Sequence, residues 1–249
     1  MSGFTLKLIA IICMTIDHLY KLAPEFIGTM PYITVTTPWF SITLTAAISL
    51  LGRIAFPLFA FGVSEGCTHT KDFGKYLRRL FLFAVISEIP FDYMFFGSIY
   101  LGHQNVMWTF FFGVLAVYLY NSLKGNSFLA LFSVFATAVV CYVFKTDYCS
   151  IGVLLIFVLY IAKSKPLKLL GAILVISLYY LHFKGIYAAF NAGIPIPTVI
   201  MLQFAATLSS VIIMAFYNGK QGPKMKWFFY LYYPLHLLVL GSIDKLWTF

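Results

Sequence analysis

Charged residues are scarce in this chain of 249 amino acids. Asp, Glu, Lys and Arg make up 10% of it, whereas hydrophobic residues make up 61%. Soluble domains have about 25% charged residues, so this chain has too few polar side chains to cover a water-soluble globule. Disorder is also excluded, because disordered segments are poor in aromatics and this chain has 27 Phe, 17 Tyr and 4 Trp. The composition predicts a polytopic membrane protein.

Acidic residues and cysteines are the rarest functional groups. Asp and Glu number 8 against 17 Lys and Arg, an excess that basic cytoplasmic loops explain in a membrane protein. No basic run is interleaved with stacking aromatics, so we expect no nucleic-acid partner. The four cysteines, Cys13, Cys67, Cys141 and Cys149, form no CxxC pair and no Cys/His ligand spacing. We therefore predict no metal site.

Long apolar runs fill the chain instead. A helix needs about 20 apolar residues to cross the hydrocarbon core, and backbone groups in lipid must be paired within a helix or a closed barrel. The continuous runs favour helices, so the predicted fold class is all-α: a polytopic integral membrane helical bundle of about nine transmembrane helices. The predicted spans are 4–23, 42–66, 76–96, 104–121, 127–144, 149–163, 167–183, 197–217 and 227–247. We expect residues 1–249 to form a single transmembrane domain.

The basic residues predict the orientation of these spans. If the first span runs outward, 12 of the 17 basic residues fall on the cytoplasmic side and 4 on the other, with Arg53 inside a span. Basic loops stay in the cytoplasm, which places the N-terminus inside and the C-terminus outside. Residues 24–41 are rich in proline and aromatics, and we expect an outer loop with an interfacial or re-entrant piece.

Ionisable residues inside the first two spans are functional candidates, because a charge at mid-bilayer costs about 2.5–3.5 kcal/mol. Arg53 lies near the middle of the second span and is either a structural partner of Asp17 or Glu88 or a contact for an anion or oxyanion. Asp17 is placed to pair with Lys21 one turn on. His18 has no such helical partner. It is either a satisfied core histidine or a group that exchanges a proton near neutral pH.

The third and fourth spans carry a second polar group. Glu88 and Asp92 are one turn apart, and Pro90 between them is expected to disturb the helix. The two carboxylates suit scaffolding or the binding of a substrate amine, with an acid/base pair as the alternative. Asn105 and Thr109 share a face at the start of the fourth span and are predicted hydrogen-bonding residues of the same cavity.

The last span places Tyr232 and His236 one turn apart. Aromatic side chains at helical spacing are usually packing residues. A histidine deep in the membrane is harder to explain by packing, so both residues are candidates for substrate binding.

Two basic segments, KDFGKYLRR and YNGKQGPKMK, are predicted to face the cytoplasm. The second lacks the GxxxxGK[ST] spacing of a Walker motif. Basic loops permit phosphate binding, but the orientation rule also accounts for them. Beside Arg53, the candidate cofactor-binding residues are Lys71, Lys75, Arg78, Arg79 and Lys220.

A series of motifs resembles the TraX family over nearly the whole chain. In order these are TIDH, GRIAFPLFAF followed by SEG, KYLRRL leading to SEIPFD, NVMWTFFFG, DYCSIGVL, YNGKQG and FFYLYYPLHLL. The resemblance implies a multi-pass inner-membrane protein. The founding member of the family is associated with N-terminal acetylation of conjugative pilin, so the resemblance also implies an acetylation activity. The family is also similar to the acyltransferase-3 group, whose members take acetyl-CoA from the cytoplasm and modify an acceptor at the other face.

The resemblance also implies roles for individual residues. It makes His18 the catalytic histidine and matches Arg53 to an R-x-x-x-P pattern that ends here at Pro57. Asp17 falls in the same motif as His18 without a role assigned by the match, and we add it to His18 and Arg53 as a candidate catalytic residue. Further residues fall within family motifs without an assigned role: Glu88, Asp92, Asn105, Asp147 and His236.

Two functions follow from the sequence. The first is acetyl transfer from acetyl-CoA to an acceptor amine, such as a peptide or pilin N-terminus, or to a hydroxyl. The second is a proton-coupled transporter of a small substrate, in which the same ionisable residues form a relay. No repeat relates the two halves of the chain, which argues against the transporter. The acceptor and the oligomeric state are not encoded in any motif.

Overall fold

The computed structural model describes residues 1–21, 34–36, 41–193 and 198–247. Nine helices of 13 residues or more lie in these ranges, together with one short helix, one π-helical segment and one β-hairpin. In chain order the elements are α1 (Gly3–Lys21), β1 (Thr34–Thr36), β2 (Ser41–Thr43), α2 (Leu44–His69), α3 (Phe73–Phe96), α4 (Val106–Ser122), α5 (Ser127–Val143), α6 (Cys149–Ile161), α7 (Lys165–Leu178), the π-helix (Tyr179–Phe183), α8 (Ile186–Asn191), α9 (Thr198–Ala215) and α10 (Lys226–Trp247).

The nine long helices match the nine predicted spans in order and in approximate bounds. Two of them, Ala47–His69 and Thr198–Ala215, have both the length and the apolar composition to cross a membrane. Three further apolar helices have 13 to 17 residues, fewer than the about 20 that a perpendicular crossing needs. The helical class is therefore confirmed, whereas the count of nine crossings stays a prediction.

The outer segment 24–41 is largely beyond what the structure describes. Residues 24–33 and 37–40 lie outside the described residues, so the expected interfacial piece is untested. The part that is described differs from a simple loop, because β1 pairs with β2 as a short antiparallel hairpin with Val35 opposite Ile42.

Polar caps set where several helices begin. Asp72, Asn105 and Asn126 precede α3, α4 and α5, and each side chain accepts a hydrogen bond from a backbone N–H of the first turn. Gly97 ends α3 with φ 69°, a left-handed conformation that favours glycine. Pro90 lies within α3, which remains helical on both sides of it.

The described chain divides into two compact units. The first comprises Met1–Phe59 and Ala172–Lys224, and the second comprises Ala60–Gly171 and Met225–Phe249. In the first unit, the chain start lies beside the segment after α9, where Gly3 N–H donates to Lys220 O at 2.8 Å and Phe4 N–H donates to Gln221 O at 2.9 Å. The first residues of α1 and Lys220 therefore lie at one end of this unit, as the predicted orientation requires.

In the second unit, α3 and α10 run in the same direction. Phe83 stacks on Tyr230 with ring centroids 5.0 Å apart, and a Cβ at Gly241 would lie 3.2 Å from Met94 Cα.

An ion pair joins the end of α2 to the start of α7. Lys168 donates to Glu65, and His69 lies 3.7 Å from the same carboxylate. Glu65 thus links the end of α2 to the basic segment at the start of α7.

Candidate functional site

Asn105 holds α3 and α4 together at the centre of a buried polar cluster in the second unit. Its side chain is fully buried. The Nδ2 atom donates to Ala84 O at 2.8 Å and to Glu88 Oε2 at 2.5 Å, while Oδ1 accepts from Met107 N at 3.0 Å. Every polar atom of this amide is therefore used by the protein, and Asn105 organises the cluster rather than offering a free group to a ligand.

Glu88 and Asp92 each keep one buried oxygen that has no hydrogen bond among the described residues. Trp108 Nε1 donates to Glu88 Oε2 at 2.7 Å, and Tyr100 N–H donates to Asp92 Oδ2 at 2.9 Å. The second oxygens, Glu88 Oε1 and Asp92 Oδ1, remain without such a bond, and Asp92 is only 2% exposed. One helical turn separates the two residues, so their carboxylates act on each other electrostatically. We call Glu88 and Asp92 the carboxylate pair.

A loop after α5 closes over the start of α4. Thr109 donates to the Asp147 carbonyl and bonds Thr146 Oγ1 at 2.9 Å. In the same loop Lys145, Tyr148 and Cys149 have φ of 52°, 62° and 40°, values that are uncommon for residues other than glycine. The network of side-chain bonds holds this backbone in place, as expected where a loop forms part of a site.

The last helix contributes Tyr233 to this cluster. Tyr233 is buried, and its side chain lies near the backbone of Val106 and within electrostatic range of Asp147 and Glu88. The predicted residues on α10 are close to each other, since His236 Nδ1 is 2.9 Å from Tyr232 O and the two rings stack with centroids 5.1 Å apart. Tyr233 and Trp108 were not predicted as site residues, because aromatic side chains in an apolar helix are usually packing residues.

The predicted catalytic residues lie in the first unit. Asp17 pairs with Lys21 at 2.7 Å, as its spacing indicated, and packs so closely on α2 that a Cβ at Gly52 would lie 2.4 Å from Asp17 Cγ. His18 follows Asp17 on α1 and is half-buried. Arg53 follows Gly52 on α2 and interacts electrostatically with Tyr180 in the π-helix. The contact between α1 and α2 thus brings Asp17 beside the backbone that carries Arg53.

Tyr180 is a further polar residue of the first unit that the sequence did not indicate. It is 2% exposed, and its hydroxyl is 2.8 Å from Thr207 Oγ1. Because Thr207 already donates its proton to Gln203 O at 2.7 Å, Tyr180 is the donor in this pair. The π-helix turns this residue inward, and such segments are frequent at functional sites.

The predicted cofactor-binding residues differ in how they are held. Lys71 and Arg78 are exposed, and Lys75 pairs with Asp72 at 3.2 Å. Hydrogen bonds from the backbone and side chain of Lys75 lower the pKa of Asp72 from its ordinary value. Arg79 turns inward, with its guanidinium 5.8 Å from the centre of the Tyr76 ring. These four basic residues, Lys71, Lys75, Arg78 and Arg79, define the basic end of α3. Lys220 belongs to the first unit and is exposed.

The close contact at Gly52 gives a prediction. Gly52→Ala is expected to lower the free energy of unfolding by about 1–3 kcal/mol, because the added methyl must displace Asp17 Cβ and Cγ. Gly125→Ala is the matched control, since no atom lies within 4 Å of a Cβ built there. Equilibrium unfolding in mixed micelles measures both variants. Equal stability of the two would show that α1 and α2 do not pack this closely.

Comparisons with known proteins identify the family. The model of the TraX protein family matches residues 2–244. A curated relative from Dichelobacter nodosus, named as the probable fimbrial assembly protein FimC of serogroup H1, is 29% identical over 97% of this chain and 95% of its own length. No solved structure matches the chain. Because the family model covers almost every residue, the chain belongs to the TraX family.

Proposed function

We propose that this protein is a membrane-embedded acetyltransferase that moves an acetyl group from cytoplasmic acetyl-CoA to an acceptor amine, such as a peptide or pilin N-terminus, or to a hydroxyl. The arrangement along α3 carries the proposal. One end of this helix is the basic end, suited to the phosphates of coenzyme A. The other end holds the carboxylate pair with two buried oxygens that make no hydrogen bond among the described residues, suited to a cationic acceptor.

The surface of the second unit supports a bilayer around the protein. The outer face of α5 exposes Phe128 by 75%, Phe135 by 64% and Val143 by 69%. A contiguous apolar face of this kind would cause association in water and suits contact with lipid. With the excess of basic residues on one side, we infer a multi-pass protein of the inner membrane with its N-terminus in the cytoplasm.

The name of the relative bears on the acceptor. This relative is named as a probable fimbrial assembly protein. A pilin N-terminus is a primary amine that is protonated in water and would be drawn to the carboxylate pair before it loses its proton. The acceptor amine of this proposal therefore fits both the charge of the site and the family.

The chemistry assigns one task to each predicted catalytic residue. The acceptor nitrogen attacks the thioester carbonyl carbon, the carbon–sulfur bond breaks, and coenzyme A leaves as the thiol. His18 takes the proton that the attacking nitrogen loses, and Arg53 stabilises the oxyanion formed at the carbonyl. Asp17 is paired with Lys21 within α1 and orders the α1–α2 contact by packing on Gly52.

The test is thiol release from acetyl-CoA by the purified protein in nanodiscs, with peptides that offer either an amine or a hydroxyl. We expect Glu88→Gln and Asp92→Asn to raise the KM for an amine acceptor by about ten-fold, because each removes one negative charge from the acceptor site without removing its hydrogen bonds. The KM for acetyl-CoA should stay unchanged.

Asp72→Asn is the control for these variants, because it removes an exposed carboxylate at the opposite end of the same helix. It should leave the acceptor KM within two-fold of wild type, on the order of the changes seen for exposed surface substitutions. Absence of thiol release with every acceptor, together with absence of acetyl-CoA binding, would reject the proposal in favour of the transporter.

A further inference from the structure

We propose that Trp227, Tyr230 and Phe83 form a stacking surface for the purine ring of a phosphorylated nucleotide, with Arg79 and Lys226 binding its phosphates. The inference rests on the proposed use of acetyl-CoA and names the part of the protein that would hold its nucleotide half. All five residues belong to the second unit and lie at the start of α10 or in the first half of α3. We call Phe83, Trp227 and Tyr230 the aromatic platform.

The three rings of the aromatic platform are in mutual contact. Phe83 and Tyr230 are stacked at 5.0 Å with 27° between their planes, and Trp227 lies 6.4 Å from each of them. Trp227 is 54% exposed, so the indole is accessible although its neighbours are packed. Stacking of a base on an aromatic ring needs a surface of this kind, planar, supported from behind and open in front.

Two cationic side chains lie next to the platform. Lys226 Nζ lies 5.8 Å from the centre of the Trp227 ring. Arg79 on α3 interacts with Tyr230, a second ring of the platform. A planar base beside two cations is the arrangement that suits a nucleotide, because the ring stacks while the phosphates meet opposite charge.

One hydrogen-bond donor of the Arg79 guanidinium has no acceptor among the described residues. Its Nε atom is buried and makes no hydrogen bond among the described residues. A buried guanidinium nitrogen without an acceptor is unfavourable, and it is explained if a ligand oxygen supplies the acceptor. The buried ring of Tyr76 also holds this guanidinium, which lies 5.8 Å from the centre of the ring.

The helix dipole adds to the attraction for phosphate. Helix α10 begins at Lys226 and has 22 residues, so the positive end of its dipole lies next to the platform. Three independent features therefore meet here: an exposed supported indole, a buried donor without an acceptor, and the N-terminus of a long helix.

The experiment measures binding by calorimetry with the full chain in nanodiscs. The two probes are the 3′-phosphoadenosine 5′-diphosphate half of coenzyme A and inorganic pyrophosphate, which has charge but no base. Wild type should bind the nucleotide about ten-fold more tightly than pyrophosphate, the contribution of one stacked base. Trp227→Ala should abolish that preference, and Trp227→Phe should keep part of it. Arg79→Gln should weaken the binding of both probes.

Matched controls lie nearby. Phe228→Ala removes an exposed aromatic residue of the same helix turn, and Lys124→Ala removes an exposed cation of the loop after α4. Both should leave the preference unchanged. Absence of nucleotide binding by wild type, equal affinity for the two probes, or a preference that survives in a monodisperse Trp227→Ala protein would overturn the proposal and leave Trp227 as an interfacial anchor.

The thiol-release assay separates this proposal from the proposed function. A nucleotide preference that depends on Trp227 in a protein without acetyl transfer would support the stacking surface and reject the acetyltransferase. Acetyl transfer with a KM for acetyl-CoA that Trp227→Ala leaves unchanged would support the acetyltransferase and reject the stacking surface.

Discussion

Asn105→Ala is expected to lower the free energy of unfolding by about 3 kcal/mol. The loss has two parts. Removing the N-cap of α4 costs about 1 kcal/mol, and removing a hydrogen bond to a charged, partly buried carboxylate costs about 1.5–3 kcal/mol. The Asn105 amide supplies both, through Met107 N on one side and Glu88 Oε2 on the other. Unfolding in mixed micelles, followed by tryptophan fluorescence, measures the change.

Asn126 provides the matched control, because it caps α5 in the same way but is exposed. Its side chain accepts from Leu129 N at 3.1 Å and has no carboxylate partner among the described residues. Asn126→Ala should therefore cost about 1 kcal/mol, the value of the cap alone. The substitution by aspartate sharpens the comparison, since it keeps the capping oxygen. Asn126→Asp should be nearly neutral, whereas Asn105→Asp places a second carboxylate against Glu88 and should be as destabilising as alanine.

Equal costs for Asn105→Ala and Asn126→Ala would contradict this account. They would show that the bond between Asn105 and Glu88 adds nothing to stability and that the cluster is held by packing alone. A double-mutant cycle with Glu88→Ala tests the same point directly, because residues that share a bond give a coupling energy of about 0.5–3 kcal/mol.

The sequence predicted the long helices well because their signal is local. Continuous apolar runs and breaks at polar segments place the predicted span 227–247 within one residue of α10. The start of α3 lies earlier than predicted, at Phe73 instead of 76, because Asp72 caps the first turn and extends it into the basic segment. The predicted span 167–183 ends in a π-helix, since apolar composition does not distinguish one type of helical hydrogen bonding from another.

Some elements lacked any pattern strong enough to predict them. Helix α8 has six residues and lies between Gly185 and Gly193, both at positive φ. The composition of this segment is typical of a loop. The hairpin of β1 and β2 has three residues in each strand, too few to show an alternation.

The candidate site was partly predictable for a thermodynamic reason. Lipid excludes polar side chains, so Glu88, Asp92, Asn105 and Thr109 stood out in apolar helices and proved to be close together. Their partners did not stand out. Thr109 bonds residues 37 and 38 positions away, a separation that no helical periodicity encodes. Contacts of this kind depend on how helices pack, which the chain does not reveal locally.

His18→Ala and Arg53→Gln are expected to have the largest effect on activity, each lowering kcat for thiol release by about 100-fold or more. A general base contributes about 10²–10⁴ to a rate, and an oxyanion donor about 10²–10³. Arg53→Lys should recover part of the loss, because lysine keeps the charge but not the two-pronged geometry of the guanidinium. Asp17→Asn should reduce the rate less, since the position of Asp17 is also held by its packing on Gly52.

His69→Ala and Lys124→Ala are the controls, because they remove an exposed histidine and an exposed cation outside the proposed catalytic and cofactor-binding groups. Neither should change kcat by more than about two-fold, the range expected for exposed substitutions.

Labelled acetyl-CoA distinguishes the two possible roles of His18. If wild type retains labelled acetyl in the absence of an acceptor, His18 is the acyl carrier. If it retains none, His18 is the general base. If His18→Ala keeps kcat within three-fold of wild type, on the order of its His69 control, proton transfer by His18 is not part of the reaction.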